Sequence, residues 1–158
     1  MKDHVHNLKE TFWDRAGDAR AVLMEIDGRA VPMSPYADKD EGVIWFITAE
    51  GTDAHKVAKG AGPVRLIYGD SGAKLYGTVE GSLTQADNSA KLDELWSPVA
   101  AAWFEDGRED DDVRLLAFRP TRGEIWATDG AAGFLYQIAK ANMSDDTPDM
   151  GEHGHIAF

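Results

Sequence analysis

The sequence predicts a mainly-β protein, an antiparallel barrel with small helices at its ends. About six or seven short apolar runs, rich in valine, isoleucine and aromatic residues, are typical of strands. Short turn signals such as Asp27-Gly28 and Glu41-Gly42 separate them, and the Asp-Gly pair is typical of a tight hairpin. The chain has 158 residues, which is the size of one domain with a single core.

The chain begins with a predicted amphipathic helix. Val5, Leu8 and Phe12 recur at helical spacing over residues 3–15, and Gly17 ends the pattern. The residues after Gly17 include many valines, isoleucines and aromatic residues, a composition typical of strands. The three predicted strands span 20–27, 29–38 and 42–48.

The middle of the chain predicts a short helix at residues 52–60 and then a hairpin. Its two strands, 63–70 and 73–85, turn at Asp70-Ser71-Gly72. Gly81 lies inside the second strand, where a glycine often marks a bulge or a barrel corner.

The remaining segments complete the predicted sheet. Asn88 caps a helix at 88–96, and Pro98, in a first-turn position, starts a further helical stretch. Trp96 is expected to fill a seam between helix and barrel. Two more strands and a last helix are predicted at 113–120, 122–129 and 132–142.

The domain organisation follows from these elements. Residues 1–142 are predicted to form one domain, and residues 143–158 an extended tail. Because the tail ends in apolar residues, Ile156 and Phe158 are expected to pack on the domain or on a partner subunit. The interior of a small barrel is filled by side chains, so a large ligand is expected outside it or at a subunit interface.

Charge and composition exclude several classes of protein. The 28 acidic and 16 basic residues give a net charge of -12, which disfavours nucleic acid and anionic membranes as partners. The chain has no cysteine, so disulfides, thiolate nucleophiles and thiolate metal sites are excluded. The N-terminus has no apolar signal-peptide core, and no apolar run reaches the length of a membrane span, so a cytoplasmic location is expected.

The common catalytic signatures do not occur in the sequence. It contains no G-x-G-x-x-G, P-loop, H-E-x-x-H or G-x-S-x-G motif, so no catalytic residue is predicted. The acidic run at 105–112 is typical of a solvated turn. His4 with His6, and His153 with His155, are interpreted as surface pairs, and no metal site is expected.

One segment carries positive charge within this acidic chain. Between residues 52 and 76 there are four bases and two acids, a local charge of plus two (4 − 2). The segment follows a strand that ends in Thr48, and a strand-end hydroxyl followed by a helix and lysines can hold a phosphate. Residue pattern alone favours the alternative that Lys56 and Lys59 are solvated helix residues.

Four segments together resemble a known family. They are R-A-V-P-M at 29–33, I-W-F-I-T at 44–48, K-L-D-E-L-W-S-P-V-A-A-A-W-F-E-D-G at 91–107, and E-I-W at 124–126. From about residue 5 to about residue 140 the chain is similar to the pyridoxamine 5'-phosphate oxidase-like flavoproteins, and in particular to their general stress protein branch. The resemblance implies an FMN-binding split barrel that forms a homodimer with two flavin sites at the subunit interface.

The resemblance also implies a set of cofactor-binding residues. The R-P-M strand lies along the flavin ring, the W-F-x-T strand end and a later lysine hold the phosphate, and the W-F-x-x-G region comes from the partner chain. In this chain the matching residues are Val31, Pro32, Met33, Trp45, Phe46, Ile47, Thr48, Thr52, Lys56 and Trp103. Val31 replaces the usual arginine, and the 49–55 loop is longer than usual, so Thr52 or Lys59 is an alternative phosphate contact to Lys56.

The function implied by the resemblance is a flavin-dependent oxidoreductase of unknown substrate, with a small-molecule electron donor or acceptor and a possible place in the general stress response. Oxidation of pyridoxamine phosphate itself is not expected, because after Arg122 the only lysine or arginine is Lys140. The alternative is a non-catalytic flavin-binding protein for storage, transport or sensing. FAD is the alternative cofactor to FMN.

Overall fold

The computed structural model describes residues 2–128 and 152–158, with side chains from Leu8 onward. The helices are α1 (Lys2–Ala16), α2 (Asp53–Lys59), α3 (Ser89–Leu95) and α4 (Pro98–Ala101), with a 3-10 turn at Gly107–Glu109. The strands are β1 (Val22–Ile26), β2 (Arg29–Met33), β3 (Tyr36–Asp38), β4 (Val43–Ala49), β5 (Pro63–Asp70), β6 (Leu75–Ala86), β7 (Val113–Ala127) and β8 (Glu152–Ala157).

The strands form one antiparallel sheet in the order β2-β1-β5-β6-β7-β4-β3, with β8 beside β7. Strands β2 and β3 lie at opposite ends of this order, yet only Ser34 and Pro35 separate them in the chain. Three residue steps span at most about 11 Å, so the two ends of the sheet must approach each other. The sheet is therefore curled, which confirms the predicted mainly-β antiparallel class and is consistent with a split barrel.

Strand β7 carries three neighbours. Strand β6 pairs with residues 115–127 of β7, β4 pairs with residues 113–118, and β8 pairs with residues 122–127. The predicted division of this region into two strands was wrong. Pro120 interrupts the sequence pattern, but it pairs with Gly81 beside a register shift at Glu80/Gly81, where an absent amide is tolerated. The same shift confirms the bulge predicted at Gly81.

The predicted strand at 29–38 was also wrong in its extent, because it is divided into β2 and β3. Pro35 has no amide to donate, and the chain leaves the β1–β2 hairpin there to pair with β4, as Tyr36 opposite Trp45. Other local predictions were confirmed. Ile26 pairs with Arg29 across the Asp-Gly hairpin, and the Asn88 side chain caps α3.

The main core joins α1, α2 and one face of the sheet. In β5 the burial alternates, with Val64 and Leu66 buried and Arg65 exposed, as expected for a strand with one solvated face. Strand β4 is buried at Val43–Phe46 without alternation, since both its faces are covered. A second cluster, including Trp45 and Leu92 of α3, covers the other face.

The described part of the C-terminal tail packs on the same chain. Ile156 is only 2% exposed, and the Phe158 ring lies edge-on to the rings of Phe12 and Trp13, at centroid distances of 5.3 and 5.9 Å. The predicted helix at 132–142 and the first part of the tail lie outside the described residues, and the proposed domain division stays a prediction. No helix among the described residues is both long and apolar enough to cross a bilayer.

The Tyr68 hydroxyl is buried, and no described residue forms a hydrogen bond with it. Burial raises the pKa of Tyr68. Its ring packs edge-on to Phe12, at a centroid distance of 5.6 Å. We expect Tyr68→Phe to increase the free energy of unfolding by up to about 1 kcal/mol, because it removes a desolvated hydroxyl and keeps the ring. Urea denaturation measures the change. A loss of about 1 kcal/mol or more would contradict this and show that the hydroxyl has a hydrogen-bond partner, such as a buried water.

Candidate functional site: an apolar cavity with a threonine end

A cavity of about 310 Å³ lies where the ends of β2 and β4 meet the segment around α4. Its walls are mostly apolar, and its polar side chains are hydroxyls. The lining residues are Pro32, Met33, Ser34, Tyr36, Ile47, Thr48, Ala49, Thr52, Val99, Ala100, Trp103 and Phe104. Such a cavity suits a ligand with a flat apolar part and a hydrogen-bonding end.

The α4 wall presents large apolar groups to solvent. The Trp103 side chain is 81% exposed, and that of Val99 is 66% exposed. Ser97 caps helix α4: its hydroxyl accepts a hydrogen bond from the Ala100 amide at 3.2 Å, and Pro98 occupies the first position of the helix. Because large apolar side chains are seldom this exposed, the wall is a candidate contact surface for a ligand or a second chain.

The cavity lining also contains a pair of hydroxyls, from Thr48 and Thr52. The oxygens of Thr48 and Thr52 are 2.9 Å apart, and Thr52 caps α2 by accepting a hydrogen bond from the His55 amide at 3.3 Å. The Thr52 hydroxyl donates its one proton to the Ala49 carbonyl at 3.1 Å. Thr48 is therefore the donor within the pair, and its proton can turn toward an anionic ligand atom.

No lysine or arginine belongs to the described cavity lining. Lys56 is exposed on α2. Arg29 forms an ion pair with Asp53 at 2.6 Å, and Arg114 forms one with Glu50 at 3.3 Å. Positive charge near the threonine pair therefore lies outside the cavity and is partly neutralised by neighbouring carboxylates.

The structure brings six of the ten predicted binding residues together. These six are Pro32, Met33, Ile47, Thr48, Thr52 and Trp103. Four lie outside the lining: Phe46 is buried in the main core, Trp45 is buried in the second cluster, Val31 is half-buried in β2, and Lys56 is exposed. Contact of any of the ten with a flavin stays a prediction.

Sequence reasoning missed six lining residues, which are Ser34, Tyr36, Ala49, Val99, Ala100 and Phe104. Three of them belong to the S-P-V-A-A-A-W-F segment that carries the family resemblance, and that segment could have identified them. Ser34 and Ala49 directly follow the predicted residues Met33 and Thr48, and Tyr36 lies three positions after Met33. These three residues lie at or next to strand ends, and the sequence does not show where a strand ends.

A half-buried pair of charged residues, Asp38 and Lys91, ties the sheet to α3. Lys91 donates to the Asp38 carboxylate at 3.1 Å, and the Trp45 indole N–H donates to it at 3.4 Å. Burial by itself raises the pKa of Asp38, but these bonds and one from the Glu41 amide outweigh it and hold this pKa below its usual value. Hydrogen bonds to Glu94 and Asp38 raise the pKa of Lys91.

We expect Asp38→Asn to lower the thermal midpoint by a few degrees at pH 7, because Lys91 loses its least exposed ionic partner. The folded state lowers the pKa of Asp38, so the carboxylate stabilises the protein above the pKa of the unfolded chain. This stability disappears as the pH falls through the folded pKa. Thermal scans between pH 3 and pH 7 should show the two proteins converging at the acidic end, and a constant difference would contradict this.

The acidic run after the cavity wall folds as the predicted surface turn. The Asp110 carboxylate accepts hydrogen bonds from the amides of Asp112 at 2.9 Å and Asp106 at 3.2 Å, and these bonds lower the pKa of Asp110. Arg108 donates to the Asp93 carboxylate of α3 at 2.5 Å. The turn therefore anchors the chain just after Trp103. No cluster of metal-ligating side chains occurs in the described ranges.

The cavity residues fit a flavin in two respects. Pro32, Met33 and Trp103 in the lining offer apolar surface for an aromatic ring system. The threonine pair offers hydrogen bonds to a phosphate or ribityl group. The fold and this cavity together define a class of small antiparallel β proteins with a mostly apolar cavity at the strand ends of a curled sheet.

The sequence profile of the family described as pyridoxamine 5'-phosphate oxidase like matches residues 7–149. This match covers most of the chain, so the protein belongs to the pyridoxamine 5'-phosphate oxidase-like family. No curated protein matches the chain at a significant level.

Its structural neighbours are general stress protein 26 family proteins. A protein from Jannaschia sp. CCS1 assigned as general stress protein 26 is 47% identical, over 98% of this chain and 99% of that one, with a TM-score of 0.83. The general stress FMN/FAD binding protein from Xanthomonas citri is 29% identical, over 80% of this chain and 92% of that one, with a TM-score of 0.70. General stress protein 26 from Bacillus anthracis is 17% identical, over 78% of this chain and 95% of that one, and with a TM-score of 0.64 it shows the shared fold.

Proposed function

We propose that the protein binds a flavin, FMN or FAD, in the cavity and acts as a flavin-dependent oxidoreductase in the general stress response. The observation that carries the proposal is the apolar cavity between Pro32 and Trp103 with the Thr48–Thr52 pair at its end. The likeness to a general stress FMN/FAD binding protein supports it.

Each part of the cavity has a role in this proposal. Pro32, Met33 and Trp103 hold the ring system and exclude water from its faces. Thr48 donates its hydroxyl proton to the phosphate, Thr52 holds the adjacent turn through its bonds to Ala49 and His55, and the exposed Lys56 screens the phosphate charge. A bound flavin supplies the electron exchange, while the protein supplies position and environment.

Anaerobic addition of NADPH to the flavin-loaded protein tests the oxidoreductase assignment. Loss of the flavin absorbance, and its return on adding a small quinone or oxygen, is the expected result. Flavin that stays oxidised with NADPH and with NADH would contradict it.

The alternative function is a flavin-binding protein for storage, transport or sensing. One observation favours it: the described cavity lining contains no histidine, lysine, aspartate or glutamate that could transfer a proton. The same reduction experiment separates the two functions, because a carrier binds flavin without turnover.

The threonine end gives a direct test of where the phosphate lies. We expect Thr48→Val to weaken FMN binding about tenfold, because a hydrogen bond to a charged group contributes about 1.5 kcal/mol or more. Riboflavin, which has no phosphate, should bind the variant and the natural protein equally. Fluorescence titration measures both ligands, and Thr84→Val on β6 is the matched control. Equal losses for FMN and riboflavin would place the phosphate elsewhere.

We also propose that the protein is a homodimer whose second copy covers the α4 wall. The exposed side chains of Val99 and Trp103 support this, since a partner would bury them beside the cavity. Light scattering on the purified protein is expected to give twice the chain mass. A monomer at micromolar concentration would contradict the proposal.

A further inference from the structure

His55 is the most buried polar residue near the cavity, and the proposed binding contacts do not use it. Its side chain is 1% exposed, on α2 directly behind the threonine pair. A buried imidazole requires partners for both ring nitrogens. Both partners are present among the described residues.

The two hydrogen bonds of His55 define its protonation state. Its Nδ1 accepts a hydrogen bond from the Gly51 amide at 3.0 Å, so Nδ1 carries no proton. Its Nε2 lies 2.9 Å from Gln85 Oε1 and donates to it. The arrangement therefore requires a neutral imidazole with its proton on Nε2.

These bonds connect β6 to the turn that carries the cavity hydroxyls. Gln85 lies near the end of β6, and the Gly51 amide lies in the turn between β4 and α2. The next residue, Thr52, lines the cavity and bonds to Thr48. His55 thus fixes the turn from behind, while the two hydroxyls face the cavity.

We infer that His55 is a positioning residue for the cavity, which places the Thr52 and Thr48 hydroxyls through the Gln85–His55–Gly51 hydrogen bonds. Nδ1 of a doubly protonated His55 would have no lone pair to accept the Gly51 hydrogen bond, so protonation would free the turn and weaken ligand binding. The ligand arm of this inference rests on the proposed flavin binding.

Nearby charged groups are the ion pairs Glu50–Arg114 and Asp53–Arg29, and Lys56 on α2. These charged groups are the same in the natural protein and in variants changed only at residue 85. Variants of Gln85, which is exposed on β6, therefore isolate the effect of His55 without cutting into the core.

The test compares the natural protein with Gln85→Glu and Gln85→Leu from pH 5 to pH 8. FMN affinity is measured by fluorescence titration, and thermal midpoints are measured at each pH. The glutamate favours the doubly protonated imidazole, so Gln85→Glu should lose FMN affinity at higher pH than the natural protein, with at least tenfold weaker binding at pH 6. Gln85→Leu should lose affinity at lower pH.

Superimposable pH profiles of FMN affinity in the three proteins, or affinity changes that only follow the thermal midpoints, would overturn the inference. NMR keeps the test independent of flavin binding. Without ligand, the His55 ring nitrogens should show the Nε2–H tautomer at pH 8, and the Gly51 and Thr52 amide signals should shift as His55 is protonated. If the natural protein binds no flavin but these signals shift, the proposed function fails and the positioning role stands. Static signals would overturn that role.

Discussion

Gly77→Ala is expected to lower the free energy of unfolding by about 3 kcal/mol or more. Gly77 has a φ of +130°, a conformation that residues with a Cβ rarely adopt. A Cβ there would lie 2.1 Å from the Glu124 carbonyl oxygen and 3.0 Å from the Ile125 Cα. Both obstacles are backbone atoms of β7, so strands β6 and β7 would have to separate where they pair.

Gly69→Ala is the matched control for this substitution. Gly69 lies in the neighbouring strand β5, directly opposite Tyr76, and a Cβ added to it meets no atom within 4 Å. Urea denaturation of the two variants should therefore give a large loss for Gly77→Ala and a change within about 1 kcal/mol for Gly69→Ala. Equal stabilities would show that β6 does not approach β7 this closely.

Trp103→Ala is expected to weaken flavin binding by about 10-fold to 100-fold, because a stacked aromatic side chain contributes roughly 1.4–2.8 kcal/mol to a contact of this kind. Trp103 lines the cavity and is 81% exposed, so its removal leaves the core intact. The thermal midpoint should hardly change. Calorimetric titration with FMN measures the affinity.

Trp126→Ala controls for the loss of a large ring. Trp126 lies on β7 and stacks on His153 at a centroid distance of 4.3 Å, outside the cavity lining. The Trp126→Ala variant should bind FMN with unchanged affinity, even if its free energy of unfolding is lower. A Trp103→Ala variant that binds FMN as well as the natural protein would remove the α4 wall from the proposed site.

Most helices and strands could be predicted from the sequence, because turns and helix caps depend only on residues that are close together in the chain. The Asp27-Gly28 turn and the Asn88 cap have such local signals, and both were confirmed. Pairing over long distances leaves no such signal. Pro120 was predicted to end a strand, whereas β7 continues through it, and the pairing with Glu80 and Gly81 skips Thr121.

The cavity was predicted through family resemblance more than through residue chemistry. The positive charge of residues 52–76 indicated Lys56 as a candidate phosphate contact, but its side chain is exposed and lies outside the cavity lining. Thr48 and Trp103 were predicted because they match family segments, and both line the cavity.

His55 was missed for a physical reason. Its importance comes from burial and from a hydrogen bond to Gln85, thirty residues further along the chain. Neither property is visible in a sequence pattern, where a histidine on a short helix is indistinguishable from a solvated one.

We propose above that this chain binds a flavin in the described cavity. The most direct test of this proposal is an absorbance titration of the freshly purified protein with FMN, after any bound flavin has been released and identified. Saturation is expected at one flavin per chain, with flavin bands shifted from those of free FMN. The Trp103→Ala variant should require more FMN to reach saturation. Flavin bands that stay identical to those of free FMN at every protein concentration would contradict it.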